Sequence, residues 1–514
     1  MGFVEEHRES IDSDNKKDAS LGEAHKENLS TSSDSLPGTV LEPQFDEART
    51  KTLIRKLDWH IVPFLALLYL LSFLDRTNIG NAKLFNLQKY LGMPEVGPGS
   101  IQYNNALAIF FPFYVAAEVP SNMMMKRLRP SLWLTIIMLG WAICTICMGF
   151  VKNYTGLMVV RAFLGACEGG LFPGVTYYIT MWYRRHECGL RMALFFSAAT
   201  AAGAFGGILA FGIGKMEGVA GRGGWSWIFI LEGIATFIVA CIAYWAINDY
   251  PRTATFLTEE ERTEVERRLK DDRNSLADEF NLKYAWDAFK DWKIYVHMFI
   301  TIGIYTPLYS LSLFLPTIVK NMGYTNETSQ LMTVPPYAVA CIFTIGAGFF
   351  ADKLKQRGIF MLIFQASAII GFAMLAATGK SGVQYAGTFF AASGIYPLVP
   401  MGVAWNGNNI GGSLKRGVGI AMHVGFGNLG GAISAYCFLP KYSPRFIPGH
   451  VTLASTVSMS FILTSYMTWY LRRENARRDA WAVENNMLPE NYTEAQKSEE
   501  REKGDYASFF RYTI

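Results

Sequence analysis

Residues 60–80 read HIVPFLALLYLLSFLDRTNIG, and this apolar run decides the class of fold. A helix needs about 20 predominantly apolar residues to cross a bilayer core. No Asp, Glu, Lys or Arg occurs here before Asp75 and Arg76, so the stretch is long enough to span and carries a charged pair at depth. Outward from it the pattern recurs at 101–125, 131–150, 154–181, 190–213, 225–247, 293–318, 329–351, 359–378, 384–405, 416–440 and 451–471, twelve spans in all. The expected fold is an all-α polytopic membrane protein with 12 transmembrane helices in two six-helix bundles, 58–248 and 293–473. Twelve spans place both termini on one side.

Composition agrees once it is divided. Of the 514 residues, 51% are hydrophobic and only 18% charged, against about 25% charged in soluble domains. Most of the charge lies in three appendages: a tail at 1–57, a central loop at 249–292 and a tail at 474–514. These carry a net −11, whereas the apolar body carries +15, which the formal +4 conceals. Such a chain is neither a soluble multidomain enzyme nor a disulfide-stapled secreted module. The first tail, rich in Ser, Asp, Glu and Lys without apolar period, reads as disordered. The seven cysteines lie in or beside apolar segments and read as small packing residues, the Cys144–Cys147 pair included. No phosphate-binding loop, metal-spaced cluster or nucleophile motif is present, which argues against an enzyme and against a metal site.

The loops set the orientation. Four alternate loops hold Lys126, Arg127 and Arg129; Arg184, Arg185 and Arg191; Lys353, Lys355 and Arg357; and Lys415 and Arg416. The six opposite loops together hold only nine basic residues. The denser set is expected to be cytoplasmic, and with it both tails and the central loop. Within that loop, TEEERTEVERRLK from Thr258 has helix-supporting charge spacing. Most of the +15 is thus topology rather than evidence of an anionic ligand.

Charges inside the spans are more telling, because burying one in a membrane helix costs at least about 2.5–3.5 kcal/mol. Asp75, Glu118, Glu168, Arg76 and Arg161 lie at depth, with Glu232 a further case, all in the first six spans. Arginine offers a planar donor fork to a carboxylate, and Asp75 and Glu168 are carboxyls able to exchange a proton. Asp75 and Arg76 point about 100° apart on their helix and have different targets. Arg161 and Glu168 are about 10.5 Å apart along one face, too far to pair directly, so Asp75 is a possible partner of Arg161 across helices. Glu118 precedes Pro120 near a span end and reads as a gate or cap. The last six spans offer neutral groups instead: Tyr305 and Tyr309 one turn apart, Trp405, Asn406, Asn408 and Asn409, then His423 and Asn428. The alternative reading of the deep charges is an ion-pair network that only holds helices together.

Four motifs carry a resemblance to a family. They are Leu74-Asp75-Arg76-Thr77-Asn78-Ile79-Gly80-Asn81-Ala82; Glu118-Val-Pro-Ser-Asn122; Arg161-Ala-Phe-Leu-Gly165-Ala-Cys-Glu168-Gly169-Gly170-Leu-Phe-Pro173-Gly174; and Gly348-Phe-Phe-Ala-Asp352-Lys353-Leu-Lys-Gln-Arg357. Over about residues 55–475 the chain resembles the fungal anion:cation symporters of the major facilitator superfamily, the allantoate and nicotinate permease type. The loop Met125-Lys126-Arg127-Leu128-Arg129 lacks the Gly and Asp of the superfamily's loop motif, and Phe510-Arg511-Tyr512 is similar to the ending of nicotinate-permease relatives. The resemblance implies alternating-access uptake of a small organic carboxylate anion with protons, of the nicotinate or related vitamin or nitrogen-source kind, at the plasma membrane. It implies Asp75 and Glu168 as proton-coupling groups and Arg76 and Arg161 as anion-binding or coupling groups; the polar side chains of the last six spans, Tyr305, Tyr309, Asn406, His423 and Asn428, are the expected further substrate ligands by their chemistry. Glu118, Gly348, Asp352 and Arg357 become gating residues. The expected coupling ion is the proton with no other cofactor, and the expected partners are the substrate anion and the lipid bilayer, with no nucleic acid and the protein a monomer. Two rivals are a proton-driven exporter of metabolites or toxins and a nutrient sensor.

Overall fold

The computed structural model describes residues 45–514 except 96, 98, 185, 186, 275–281, 355, 486, 488–495, 497–499, 501 and 502. The expected disorder at 1–44 therefore lies outside the described residues, as do parts of the central loop and the second tail. The chain divides into Met1–Lys51 and Thr52–Ile514. In the first unit, the Asp46 carboxylate accepts from Arg49 N at 2.7 Å and Glu47 pairs with Lys51 at 2.7 Å, so a helix starts within the segment read as disordered.

Among the described residues, twelve helical stretches are long and apolar enough to cross a membrane: Glu47–Leu84, Gln102–Met125, Pro130–Met148, Tyr154–Thr180, Cys188–Gly214, Gly224–Ala246, Trp292–Lys320, Asn326–Leu354, Arg357–Ala377, Ser381–Asn408, Lys415–Ala435 and Ile447–Glu484. Among the described residues all regular structure is helical. Large apolar side chains point outward, with Trp245 78%, Ile342 71% and Ile462 66% exposed, as expected where the solvent is lipid rather than water. The first and last helices each run 38 residues, well past the apolar stretch. Their polar ends continue the backbone ladder because helical hydrogen bonding does not require apolar side chains.

In the central loop, Thr258 and Glu261 form a reciprocal capping box, Glu261 Oε2 accepting from Thr258 N at 2.9 Å and Thr258 Oγ1 from Glu261 N at 3.3 Å. The helix Glu259–Asn274 follows. Glu261 pairs with Lys56 at 2.6 Å, and Arg268 with Glu187, so the loop is tied to the basic ends of the first six spans.

Two glycine contacts position the interior. Span four consists of the helices Tyr154–Glu168 and Leu171–Thr180. A Cβ at Gly165 would overlap the Phe110 carbonyl and one at Gly169 the Tyr114 carbonyl, so this four-residue pair lets span four lie against the backbone of span two. Gly80, on span one, meets the Leu313 carbonyl of span seven in the same way. Beside it, Asn326 Nδ2 donates to Leu84 O at 2.8 Å, Asn104 Nδ2 to Ala435 O at 2.5 Å and Tyr436 Oη to Asn105 Oδ1 at 2.9 Å. These bonds close the face opposite the basic loops. A Gly80→Ala variant should hold that face apart, keep the fold and reduce substrate turnover by about tenfold, as measured by uptake into proteoliposomes.

Candidate functional site

Span one presents two polar faces. On one, Arg76 donates to Glu168 Oε1 of span four through Nε at 3.1 Å and Nη2 at 2.7 Å, and Ser72 Oγ donates to the same oxygen. The remaining Arg76 nitrogen, Nη1, reaches Tyr309 Oη of span seven at 3.0 Å. Tyr309 donates onward to Asn428 Oδ1 of span eleven at 2.7 Å. A continuous polar chain thus crosses from the first six spans to the last six, with Glu168 one residue from the midpoint of its span. Every member is buried.

Aromatic rings surround the guanidinium. Its carbon lies 4.7 Å from the Tyr114 ring centre and 5.1 Å from that of Phe110. The Arg161 guanidinium carbon lies 5.1 Å from the centre of the same Phe110 ring, which therefore contacts two cations. Among the described residues Arg161 makes no ion pair: Nε donates to Ala106 O at 3.2 Å and Nη1 to Arg76 O at 3.4 Å, while buried Nη2 has no partner. The possible Asp75–Arg161 pairing is not what forms. Asp75 Oδ2 instead accepts from Trp141 Nε1 at 3.2 Å and Thr236 Oγ1 at 2.8 Å, on the face toward spans three and six. Asn78 continues that face by donating to Glu232. The two acids expected to bind protons therefore sit on opposite sides of span one.

Glu118 is buried among spans two and eleven, where it lies beside Asn428 and faces Gly425 across the two sets of spans. At the basic-loop ends, Arg357 Nη2 pairs with Asp352 Oδ1 at 2.6 Å. A Cβ at Gly189 would lie 2.7 Å from Asp352 Oδ2 and 3.0 Å from Arg357 Nη2, and one at Gly348 would lie 2.7 Å from the Ala193 Cβ. Contacts between the first and last six spans thus close both ends around the buried chain.

The sequence model of the Major Facilitator Superfamily matches residues 65–435. The chain belongs to the major facilitator superfamily. Relatives include the uncharacterized transporter C1002.16c of Schizosaccharomyces pombe, 32% identical over 88% of this chain and 89% of the relative. Another is the MFS-type transporter cnsO of Penicillium expansum, 33% identical over 92% of each chain. Among solved structures, the partially occluded inward-open xylose transporter XylE from E. coli covers 80% of this chain and 97% of its own, with TM-score 0.61 at 13% identity, a likeness of fold. This superfamily member is a multi-pass membrane transporter, not an enzyme.

In this transporter the expected ligands of the last six spans separate into two groups. Tyr309 and Asn428 join the arginine chain, and the Tyr305 ring centre lies 6.1 Å from that of Tyr309. Asn406 and His423 lie elsewhere. Asn406 Nδ2 donates to Gly419 O at 3.4 Å, and His423 bonds Thr301 Oγ1 with His297 6.2 Å away, ring to ring. Trp405 and Asn409 both bind Thr513 O, at 2.9 and 3.0 Å, which commits them to the C-terminal segment. Sequence reading passed over Ser72, Phe110 and Tyr114. The last two were findable, being one turn apart on a span that already carried Glu118.

Proposed function

We propose that this superfamily member imports a small organic carboxylate with protons by alternating access at the plasma membrane, as a monomer with both termini and the basic loops cytoplasmic. One observation carries the anionic substrate: Arg161 is a fully buried guanidinium that has an unpartnered donor and no ion pair. A buried cation without a direct ion-pair partner is costly, and a carboxylate lodged beside Phe110 supplies that contact with a forked pair of hydrogen bonds. The rings of Phe110, Tyr114, Tyr305 and Tyr309 suit a flat substrate, which favours a nicotinate-like monocarboxylate. The Asp352–Arg357 pair, Gly348 and Glu118 serve as gates.

Coupling follows from the Arg76–Glu168 pair. A proton on Glu168 removes the charge that holds Arg76 and releases the guanidinium to the anion, so proton and anion binding favour each other reciprocally. Asp75, on the opposite face of span one, provides a second proton site. Inward drive by a negative-inside potential, worth about 2.3 kcal/mol per charge per 100 mV, requires more protons than anion charges. Glu168→Gln should abolish pH-gradient-driven accumulation of labelled nicotinate in proteoliposomes while substrate exchange persists. Accumulation at the parent level in that variant would rule Glu168 out as the coupling group.

A further inference from the structure

The segment that ends in Phe510-Arg511-Tyr512 is not a free tail. Asp505, 1% exposed, sits between two lysines: Oδ2 pairs with Lys293 Nζ and Oδ1 with Lys415 Nζ at 2.6 Å. Lys415 also pairs with Asp291 at 2.7 Å, which closes a quartet of two cations and two anions. Burial alone opposes ionisation of Asp505, but the charges of Lys293 and Lys415 outweigh it and hold the carboxyl below its usual range. Tyr512 Oη accepts from Lys293 at 2.9 Å, and Arg478 of the long last helix donates to the carbonyls of Asp505 at 3.0 Å and Phe510 at 2.9 Å. The backbone at Gly504–Asp505 lies directly on Gly411, where a Cβ would overlap it. Thr513 then exchanges bonds with Asn409 and Trp405 as described, and Ile514 O accepts from Arg357 N at 2.6 Å.

The last of these contacts links the segment to a contact between the two sets of spans. Arg357 is the residue whose side chain, with Asp352, meets Gly189 of the first six spans. The segment thus joins the basic-loop ends of spans seven, nine, ten, eleven and twelve and terminates on the contact that closes this face. Withdrawal of Asp505 leaves Lys293 and Lys415 sharing Asp291 alone, an uncompensated charge that the buried site does not tolerate dry. Release of the segment would therefore have to be accompanied by entry of water at these helix ends.

We propose that residues 503–514 form a strap that clamps the basic-loop ends of the last six spans and holds the Asp352–Arg357 contact shut, so that its release opens this face of the transporter. The proposal rests on the alternating-access fold and is independent of substrate and coupling ion. The test uses the full chain in detergent with Ala193→Cys as a reporter across from Gly348, read by maleimide addition and peptide-resolved mass spectrometry. Asp505→Asn and Trp405→Phe weaken the strap at separate points. Each should raise the labelling rate at position 193 by about threefold or more as the closed population falls. Unchanged labelling in the folded variants overturns the proposal, even where their melting temperature has dropped, because the segment is then an anchor for the fold alone. Trp405→Phe keeps every charge and the bulk of the ring, so it decides the matter if Asp505→Asn does not fold.

Discussion

Arg76→Ala should destabilise the transporter by about 3–5 kcal/mol and abolish transport, whereas Arg76→Met combined with Glu168→Met should restore most of the stability and none of the transport. The difference follows from what each change leaves behind. Removing Arg76 alone strands the Glu168 carboxylate, which is fully buried and otherwise receives only the Ser72 hydroxyl. Removing both partners leaves apolar side chains of similar volume, and such replacements of buried ion pairs are often neutral or stabilising. A pair that only braces spans one and four would be dispensable once the brace is rebuilt from methionines. A pair that binds anion and proton is not. Thermal unfolding in detergent and uptake in proteoliposomes separate the two roles, and transport by the double variant would reduce the pair to a brace.

The legible part of this molecule was whatever depends on length and depth. Apolar runs located all twelve spans because the cost of an unpaired backbone in lipid leaves few other ways to use twenty apolar residues. They misplaced the outer ends of the first and last helices, where the ladder runs on through charged residues. The depth of Asp75, Arg76, Arg161 and Glu168 was equally plain, and the 100° offset between Asp75 and Arg76 correctly separated their targets. The partner of each was not legible. Whether Arg161 meets Asp75, or Arg76 meets Glu168, depends on how span four lies against its neighbours, and that rests in part on its backbone contact with span two at Gly165 and Gly169. Asn406, His423, Trp405 and Asn409 show the same limit from another direction. Their residue types suit a ligand, yet Trp405 and Asn409 hold a segment more than a hundred positions away. Nothing in a tail of ordinary polar composition announces that one aspartate will be buried between two lysines.

Arg161→Met should lower affinity for the carboxylate on the order of 100-fold or more while the protein still folds. The guanidinium has no carboxylate partner to strand, so its loss exposes only the carbonyls of Ala106 and Arg76 to burial without a donor, a cost of about 1–3 kcal/mol. On the binding side, two charge-assisted bonds at about 1.5–3 kcal/mol each are forfeited, and every 1.4 kcal/mol is about tenfold in affinity. Arg161→Lys sharpens the expectation. It keeps the charge but not the planar fork, and it cannot both satisfy the two carbonyls and grip a carboxylate. Its affinity should therefore fall between the parent and Arg161→Met. Thermal shift over a panel of aromatic and aliphatic carboxylates, followed by calorimetry on the tightest, measures all three. Equal affinity in the parent and Arg161→Met would place the anion elsewhere. Equal affinity in the parent and Arg161→Lys would mean that charge alone, not the forked geometry beside Phe110, selects the substrate.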